Sequence, residues 1–367
     1  MKILIIDNAS MTFFKGKHLT NSLNGLFLDE LMECGNSVSY FQFSSPSEST
    51  INSYVLEDHG IECIPMKYCK TKIWRYLRAY CSFIFIARKY DFIYFYYPNT
   101  FRYLGFVCSF LKIPFGLYIR GMHGLRGKVA NRIFRLASVV NTEANSFSNL
   151  VNSVVKKDLA KTIKPMIPYS DADVIENRDY KLSDEIKLLF LGRVSEDKGV
   201  RELIMAMEGL KDDGIKVKLK IVGSGEFLND ARSLVEQEGL DDIVSLEGPV
   251  YDNEKKKRYY LDADVYILPT YHEGFPRTLH ESMIFGTPVI TTFVGGIPDL
   301  MVENHNCIRI IPKSINSIVD AVKYSIKNYD QLIKCAHNAS SLEKTIMNRS
   351  RMSHAQQLNA SIINELS

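Results

Sequence analysis

The 367 residues hold one tryptophan, Trp74, and seven cysteines that never fall into a C-x-x-C pair. The cysteines stand at 34, 63, 69, 81, 108, 307 and 335, an odd and scattered set. That pattern excludes a disulfide scaffold and reads as reduced core thiols in a cytosolic protein. No window holds 18 consecutive apolar residues, so no membrane span is expected. The opening MKILIIDNAS has too short an apolar core for a signal peptide and reads as a first strand, Lys2 to Asp7. A dinucleotide-binding fold needs G-x-G-x-x-G directly after that strand. The chain has DNASMTFFKG there, which argues against a nicotinamide or flavin enzyme. His272-Glu273 begins like a zinc-protease helix, but Pro276 stands where the second His belongs, and no other His, Cys and acid cluster has metal spacing.

Charge of one sign is also scarce overall, with a net of +3, but its distribution is uneven. Residues 1–170 carry a net +10 and the remainder −7. A basic half beside an acidic half implies that the first half meets something anionic. The length suits two domains.

What is present alternates. In the first half, strands are expected at 38–43, 61–65, 92–97, 115–119 and, as the last, 139–142. Helices are expected at 20–34, 71–90 and 101–111. The basic aromatic run Lys67 to Tyr80, with Lys70, Lys72, Arg75, Arg78, Trp74 and Tyr76, allows three readings. It is a core helix with a solvated basic edge, an interfacial helix on an anionic membrane, or a nucleic-acid surface. No nucleic-acid motif accompanies it. Phe115 to Ile119 ends in RGMHGLRGK, which puts Arg120, His123 and Arg126 at a carboxyl strand end, where ligands bind in open α/β sheets.

In the second half, strands at 186–191, 217–222 and 243–246 alternate with helices at 199–210, 226–238 and 253–260. This is the pattern of a parallel doubly wound sheet. Its densest stretch is residues 265–299. Val265 to Leu268 is a buried strand, Gly274 and Pro276 break the next turn, and a helix is expected from Thr278. Thr278 and Glu281 have the spacing of a capping box. A helix N-terminus suits a phosphate, whereas a carboxylate suits hydroxyls. Taken alone, Glu281 reads first as the capping partner. Glu273, beside Gly274, has no such structural task.

Glu273-Gly274-Phe275-Pro276-Arg277-Thr278-Leu279-His280-Glu281 resembles the E-x7-E signature of the retaining glycosyltransferase family 4, the group 1 glycosyltransferases. The resemblance implies an α/β chain of GT-B fold, two Rossmann-like doubly wound domains facing across a cleft. It extends to Gly192-Arg193…Lys198-Gly199, where Arg193 and Lys198 would bind a donor diphosphate. Val222-Gly223-Ser224-Gly225-Glu226 resembles the family's V-G-x-G-E. Gly248-Pro249-Val250 follows the third strand of this half, where the family cradles the nucleotide base. Gly295-Gly296-Ile297-Pro298-Asp299 resembles G-G-x-x-E with Asp for Glu. KPMIPYSDADV resembles the family's interdomain crossover, with Tyr169 and Ser170 for Asn and Gly. Asp171-Ala172-Asp173 and Asp262-Ala263-Asp264 copy the D-x-D metal signature of the other glycosyltransferase fold. By their positions they read as structural.

These features give an expected acceptor-side domain over 1–170, a nucleotide-sugar domain over 171–341, and a helix over 342–367 crossing back to the first domain. The expected enzyme moves a hexose, with retention, from a nucleotide-diphosphate sugar such as a UDP-sugar to a glycan or lipid-linked acceptor. The setting is surface polysaccharide synthesis, such as capsule, O-antigen or exopolysaccharide. Glu273, Arg193 and Lys198 would act on the reacting centre. Gly192, Gly223, Val250, Gly274, Phe275, Pro276, Arg277, Thr278 and Glu281 would complete the donor site, and Arg120, His123 and Arg126 stand as acceptor-side candidates. No metal, cofactor or nucleic-acid partner is expected. The enzyme is placed in the cytoplasm, peripheral on the inner face of the membrane. A nucleotide-sugar epimerase of the same fold and a non-catalytic nucleotide-sugar-binding protein are the alternatives.

Overall fold

A computed structural model describes every residue except 48–51, 68–70, 123, 182–183, 349–351 and 367. His123 and Lys70 therefore lie outside the described residues. The chain divides into two units. The first is Met1–Ile167 together with the C-terminal helix, and the second starts at Pro168. The division thus falls three residues before the boundary expected at 170.

In the first unit the strands are β1 (Lys2–Ile6), β2 (Met11–Phe14), β3 (Lys17–Thr20), β4 (Ser37–Pro46), β5 (Tyr54–Val55), β6 (Glu62–Lys67), β7 (Phe92–Tyr97), β8 (Phe115–Ile119), β9 (Val139–Thr142) and β10 (Ala160–Thr162). The helices are α1 (Ser22–Glu33), α2 (Lys72–Ala87), α3 (Leu104–Leu111), α4 (Lys128–Leu136) and α5 (Asn145–Val155). Parallel strands run β10-β9-β8-β7-β1-β4-β6 among the described residues. The order reverses at β1, which makes a doubly wound sheet with its switch point between β1 and β7. β7 reads FIYFYY and is buried at every position, as a central strand covered on both faces must be.

Met11 to Thr20 forms the antiparallel hairpin β2–β3. Two expectations change here. β10 follows β9, so Val139–Thr142 is not the last strand. α2 is three residues shorter than expected at its end, and it buries only Ala79, Phe83 and Ala87.

In the second unit the strands are β11 (Ile186–Leu191), β12 (Val217–Val222), β13 (Val244–Gly248), β14 (Val265–Leu268), β15 (Val289–Thr292) and β16 (Ile308–Ile310). The helices are α6 (Val200–Asp212), α7 (Leu228–Gln237), α8 (Asn253–Asp262), α9 (Arg277–Ile284), α10 (Ile315–Lys327) and α11 (Tyr329–Asn348). All six strands are parallel, in the order β13-β12-β11-β14-β15-β16. The switch point lies between β11 and β14, so a ligand crevice is expected beyond their carboxyl ends. Those ends carry Gly192–Gly199 and Pro269–Pro276.

The single helix expected over 342–367 is two. Residues 342–348 finish α11, which belongs to the second unit and packs on α9. The returning helix is α12 (His354–Leu366), which packs on α1 and β9 of the first unit. Ala355, Leu358 and Ile362 of α12 enter the first unit's core beside Phe27 and Leu31.

Candidate active site

The two loops at the second unit's switch point are tied together. After β11 the chain turns through Glu196–Lys198 in a single 3-10 turn ended by Gly199. Tyr271 N–H donates to the Asp197 carbonyl at 2.8 Å, and the Thr270 hydroxyl donates to the same oxygen at 3.2 Å. That juxtaposition brings the Lys198 ammonium onto a Glu273 carboxylate oxygen and 3.3 Å from the His272 carbonyl. The Lys198 and Glu273 side chains are only 13% and 17% exposed, so their charges meet in a partly dehydrated place. Arg193 is exposed, and its Nη2 donates to Asp197 Oδ2 at 3.0 Å. Arg193 thus rests on an acid of its own exposed loop. The different surroundings of Lys198 set it apart.

Glu281 is buried, and it is no capping partner. α9 begins at Arg277, its N-cap is Pro276, and no side chain caps it. Thr278 is engaged elsewhere, accepting a hydrogen bond at 2.6 Å from the Tyr266 hydroxyl. The capping-box expectation fails for that reason. Instead the Tyr260 hydroxyl donates to Glu281 Oε2 at 3.0 Å, and Lys256 Nζ stands 3.8 Å from Oε1. Burial, then the Glu281 charge, pushes the Tyr260 hydroxyl well above its usual range, so Tyr260 remains a donor. Lys256 and Tyr260 were missed as site residues. They lie four apart on α8 and therefore share a face, which is the signal that would have found them.

The first turn of α9 holds no acid and no side-chain cap. The positive dipole end of such a helix suits an anion. The α9 helix is anchored from behind by His280, whose Nδ1 lies 2.7 Å from Glu343 Oε2 of α11, with both side chains buried. Phe275 packs its ring 5.0 Å from His280. The loop bearing Glu273 also rests on the Gly295-Gly296 turn. Gly296 N–H donates to the Gly274 carbonyl at 2.8 Å, and a Cβ on Gly295 would run into the Glu273 carbonyl.

The remaining glycines of the pattern line up similarly. Gly192 N–H donates to the Val222 carbonyl at 3.0 Å, and Gly223 N–H to the Gly248 carbonyl at 2.9 Å. A side chain at Gly223 would strike the Gly192 carbonyl. These close approaches bring the ends of β11, β12 and β13 together and place Val250 two residues beyond β13. One Asp of each D-x-D pair is engaged with backbone. Asp173 Oδ2 accepts from Ser170 N and Oγ at 2.7 and 2.9 Å, and Asp264 Oδ2 accepts from Lys187 N at 2.8 Å.

Two of the acceptor-side candidates are described, both in the first unit. Arg120 follows β8, and its Nε lies 3.3 Å from Glu143 Oε1, to which Tyr118 also donates. Burial opposes its charge, but Glu143 with the surrounding phenols and Asp7 outweighs it and pushes Arg120 up. Arg126 is exposed. The structure also brings His18, Glu57 and Cys63 within 4.8 Å of one another, a metal-capable group from three elements that no sequence spacing shows. Glu57 is occupied there, accepting from His18 N at 2.9 Å and lying 2.6 Å from His18 Nδ1.

Two doubly wound units, one carrying cations and acids at the β11/β14 switch point, define the GT-B class. Solved structures share the fold over the whole chain. A HepE protein of Anabaena, solved with UDP, aligns with a TM-score of 0.70 at 17% identity over 99% of this chain and 100% of that one. The lipopolysaccharide outer core galactosyltransferase WaaB aligns with a TM-score of 0.70 at 16% identity over 100% of both. Residues 173–341, within the second unit, match the family model described as "Glycosyl transferases group 1". Relatives include a protein described as the colanic acid biosynthesis glycosyltransferase WcaL of Escherichia coli, 34% identical over 32% of this chain and 30% of its own length. Another, described as the teichuronic acid biosynthesis glycosyltransferase TuaC of Bacillus subtilis, is 34% identical over 38% of this chain and 32% of its own. The chain spans about a third of the length of these curated relatives.

Proposed function

We propose that the chain is a retaining hexosyltransferase. It takes its sugar from a nucleotide-diphosphate donor with UDP as the nucleotide, and passes it to a glycan or lipid-linked acceptor in bacterial surface polysaccharide synthesis. The observation that carries this reading is the Lys198–Glu273 pair, closing two loops at the switch point beside the buried Glu281. Diphosphate departure concentrates negative charge on the leaving oxygens. Lys198, Arg193 and the uncapped N-terminus of α9 are the groups able to stabilise it. Glu273 faces the sugar and steadies positive charge at its ring, while Glu281 accepts from the ribose hydroxyls. The names of the polysaccharide-assembling relatives and the UDP bound by the Anabaena protein support the choice of substrates.

The first unit takes the acceptor and meets the inner face of an anionic membrane through α2. No described helix is long and apolar enough to cross a membrane. The outward face of α2 is nevertheless apolar. Ile73 and Phe85 are 80% and 82% exposed, with Trp74, Leu77 and Ile84 between them, and Lys72, Arg78 and Arg88 nearby in sequence. An apolar stripe flanked by cations suits an anionic interface better than it suits water.

The test is transfer from a panel of UDP-hexoses to alkyl glycoside acceptors, with the anomeric configuration of the product read by NMR. Retention at the anomeric carbon is expected. Activity should survive EDTA, since Arg193 and Lys198 supply the charge a metal would carry. An inverted product would overturn the stereochemistry. Loss in EDTA with rescue by a divalent cation would overturn the charge assignment.

A further inference from the structure

The first unit carries an open groove of about 490 Å³ beside its own switch point. One wall is a stripe of α2, Lys72, Tyr76 and Tyr80, spaced four apart and therefore on one face. The other wall is the loop after β7, with Asn99, Arg102 and Tyr103. Asn99 Nδ2 donates to the Ile6 carbonyl at 3.3 Å, which ties this loop to the end of β1. The groove thus sits where an open α/β sheet binds its ligands.

Its chemistry is one-sided. No lining residue is acidic, and neither Lys72 nor Arg102 has a carboxylate partner among the described residues. Arg102 donates to the Tyr103 hydroxyl at 3.0 Å with its guanidinium over that ring. This leaves a preorganised fork with donors to spare. Thr71 caps α2 without a side-chain hydrogen bond, and the first turn holds no acid, so the positive end of a 16-residue helix opens beside Lys72. Tyr76 and Tyr80 offer flat apolar faces of the kind on which sugar rings stack. The outward stripe of Ile73, Trp74 and Leu77 lies around the same helix from the groove.

We propose that this groove binds the phosphate-bearing end of the acceptor, an amphiphile whose saccharide is joined through phosphate to an apolar chain. Lys72, Arg102 and the α2 N-terminus hold the phosphate, and the chain leaves along the α2 stripe towards the membrane. The proposal deepens the reading of the first unit as the acceptor side and rests on it.

The experiment uses the full chain and three soluble probes. They are citronellyl diphosphate, its parent alcohol citronellol, and UDP, each measured by titration calorimetry. Citronellyl diphosphate should bind and citronellol should not. Lys72→Ala and Arg102→Ala should each weaken citronellyl diphosphate by about tenfold or more, as loss of a charge-assisted contact does, and Arg102→Lys should recover part of it. UDP binding should be unchanged in all three variants. Thermal unfolding checks that the variants fold, which their surface positions favour. Unchanged citronellyl diphosphate binding in the two alanine variants, or equal binding of citronellol, overturns the proposal. A fourth arm separates acceptor phosphate from membrane phosphate. Vesicles of phosphatidylcholine and phosphatidylglycerol should still bind the Arg102→Ala variant, and parallel loss of vesicle and citronellyl diphosphate binding would assign the groove to lipid headgroups instead. Failure of UDP to bind the native chain would fault the donor reading and leave the groove result separately readable.

Discussion

The two units share a strand order around their first strand but finish their switch points in opposite ways. In the first unit the chain leaves β1 into Asp7, which is buried and receives hydrogen bonds from Asn24, the Tyr40 hydroxyl and Asn8 N–H. Burial pushes its carboxyl up despite those donors. Tyr118, Glu143 and Arg120 close the next strand ends in the same manner. In the second unit the chain leaves β11 into Gly192, and glycines again stand where β12 ends and after β14. Hydrogen-bonded polar side chains occupy the strand ends of the first unit, while backbone contacts and glycines occupy those of the second, with ion pairs alongside. The cations differ too. At the second unit's crevice Arg193, Lys198 and Lys256 each face an acid, while at the first unit's groove Lys72 and Arg102 face none. One topology therefore ends in two different ways according to which residues follow its strands.

The largest effect expected from breaking this difference lies at Lys198. Lys198→Ala removes a cation from a partly buried pair and leaves Glu273 without it. Transfer should fall by roughly two decades, and Arg193→Ala, at a more exposed position, by about one. Steady-state kinetics on both variants read this directly, and unchanged rates in both would remove the diphosphate from this crevice.

Next comes pH. Burial holds the His354 imidazole down at about 3, against an ordinary 6.5. A depressed pKa means the unfolded chain takes the proton first, so stability present above about 6.5 is lost as pH falls towards 3. Taken alone, this group should cost roughly 1.4 kcal/mol per pH unit inside that window. The raised Asp7 acts in the opposite direction near the acidic end. Urea unfolding of the native chain between pH 6 and pH 4 should therefore show a steeper loss than that of a His354→Gln variant. Identical slopes would mean that His354 is protonated in the folded unit.

The two acids of the second unit's crevice should separate by a smaller margin. Glu273→Gln should lower turnover more than donor affinity, because its charge matters most when the sugar becomes cationic. Glu281→Gln should weaken binding of free UDP by about one decade, since it loses the charge that Tyr260 and Lys256 hold in place. Equal weakening of UDP in both variants would merge the two roles.

Smallest in stability, but decisive for the first unit, is the outer face of α2. Trp74 is the only tryptophan, so its fluorescence reports α2 alone. Anionic vesicles should shift its emission to the blue at low salt, and high salt should reverse the shift. Leu77→Ser with Phe85→Ser should abolish the shift while changing stability by about 0.5 kcal/mol or less. An unmoved emission maximum would make the stripe a solvated face.

The meeting of the two loops at the β11/β14 switch point was largely legible because its information is local. Gly192-Arg193 to Lys198-Gly199 and Glu273 to Glu281 are short runs in which the strand end, the turn glycines and the charged residues occur together. The alternation of buried strands with helices likewise exposed the doubly wound second unit. Sequence by itself also determined the charge split between the halves and the missing dinucleotide fingerprint. Tertiary structure decided what depends on residues far apart. It gave Glu281 to Tyr260 and Lys256 instead of to Thr278, because only folding brings α8 against α9. It set Lys198 on Glu273 across a separation of 75 residues. It also turned the apolar residues of α2 outward and placed Lys72 opposite Arg102. Periodicity along a helix shows that a stripe exists, but which stripe the sheet covers is settled only by packing.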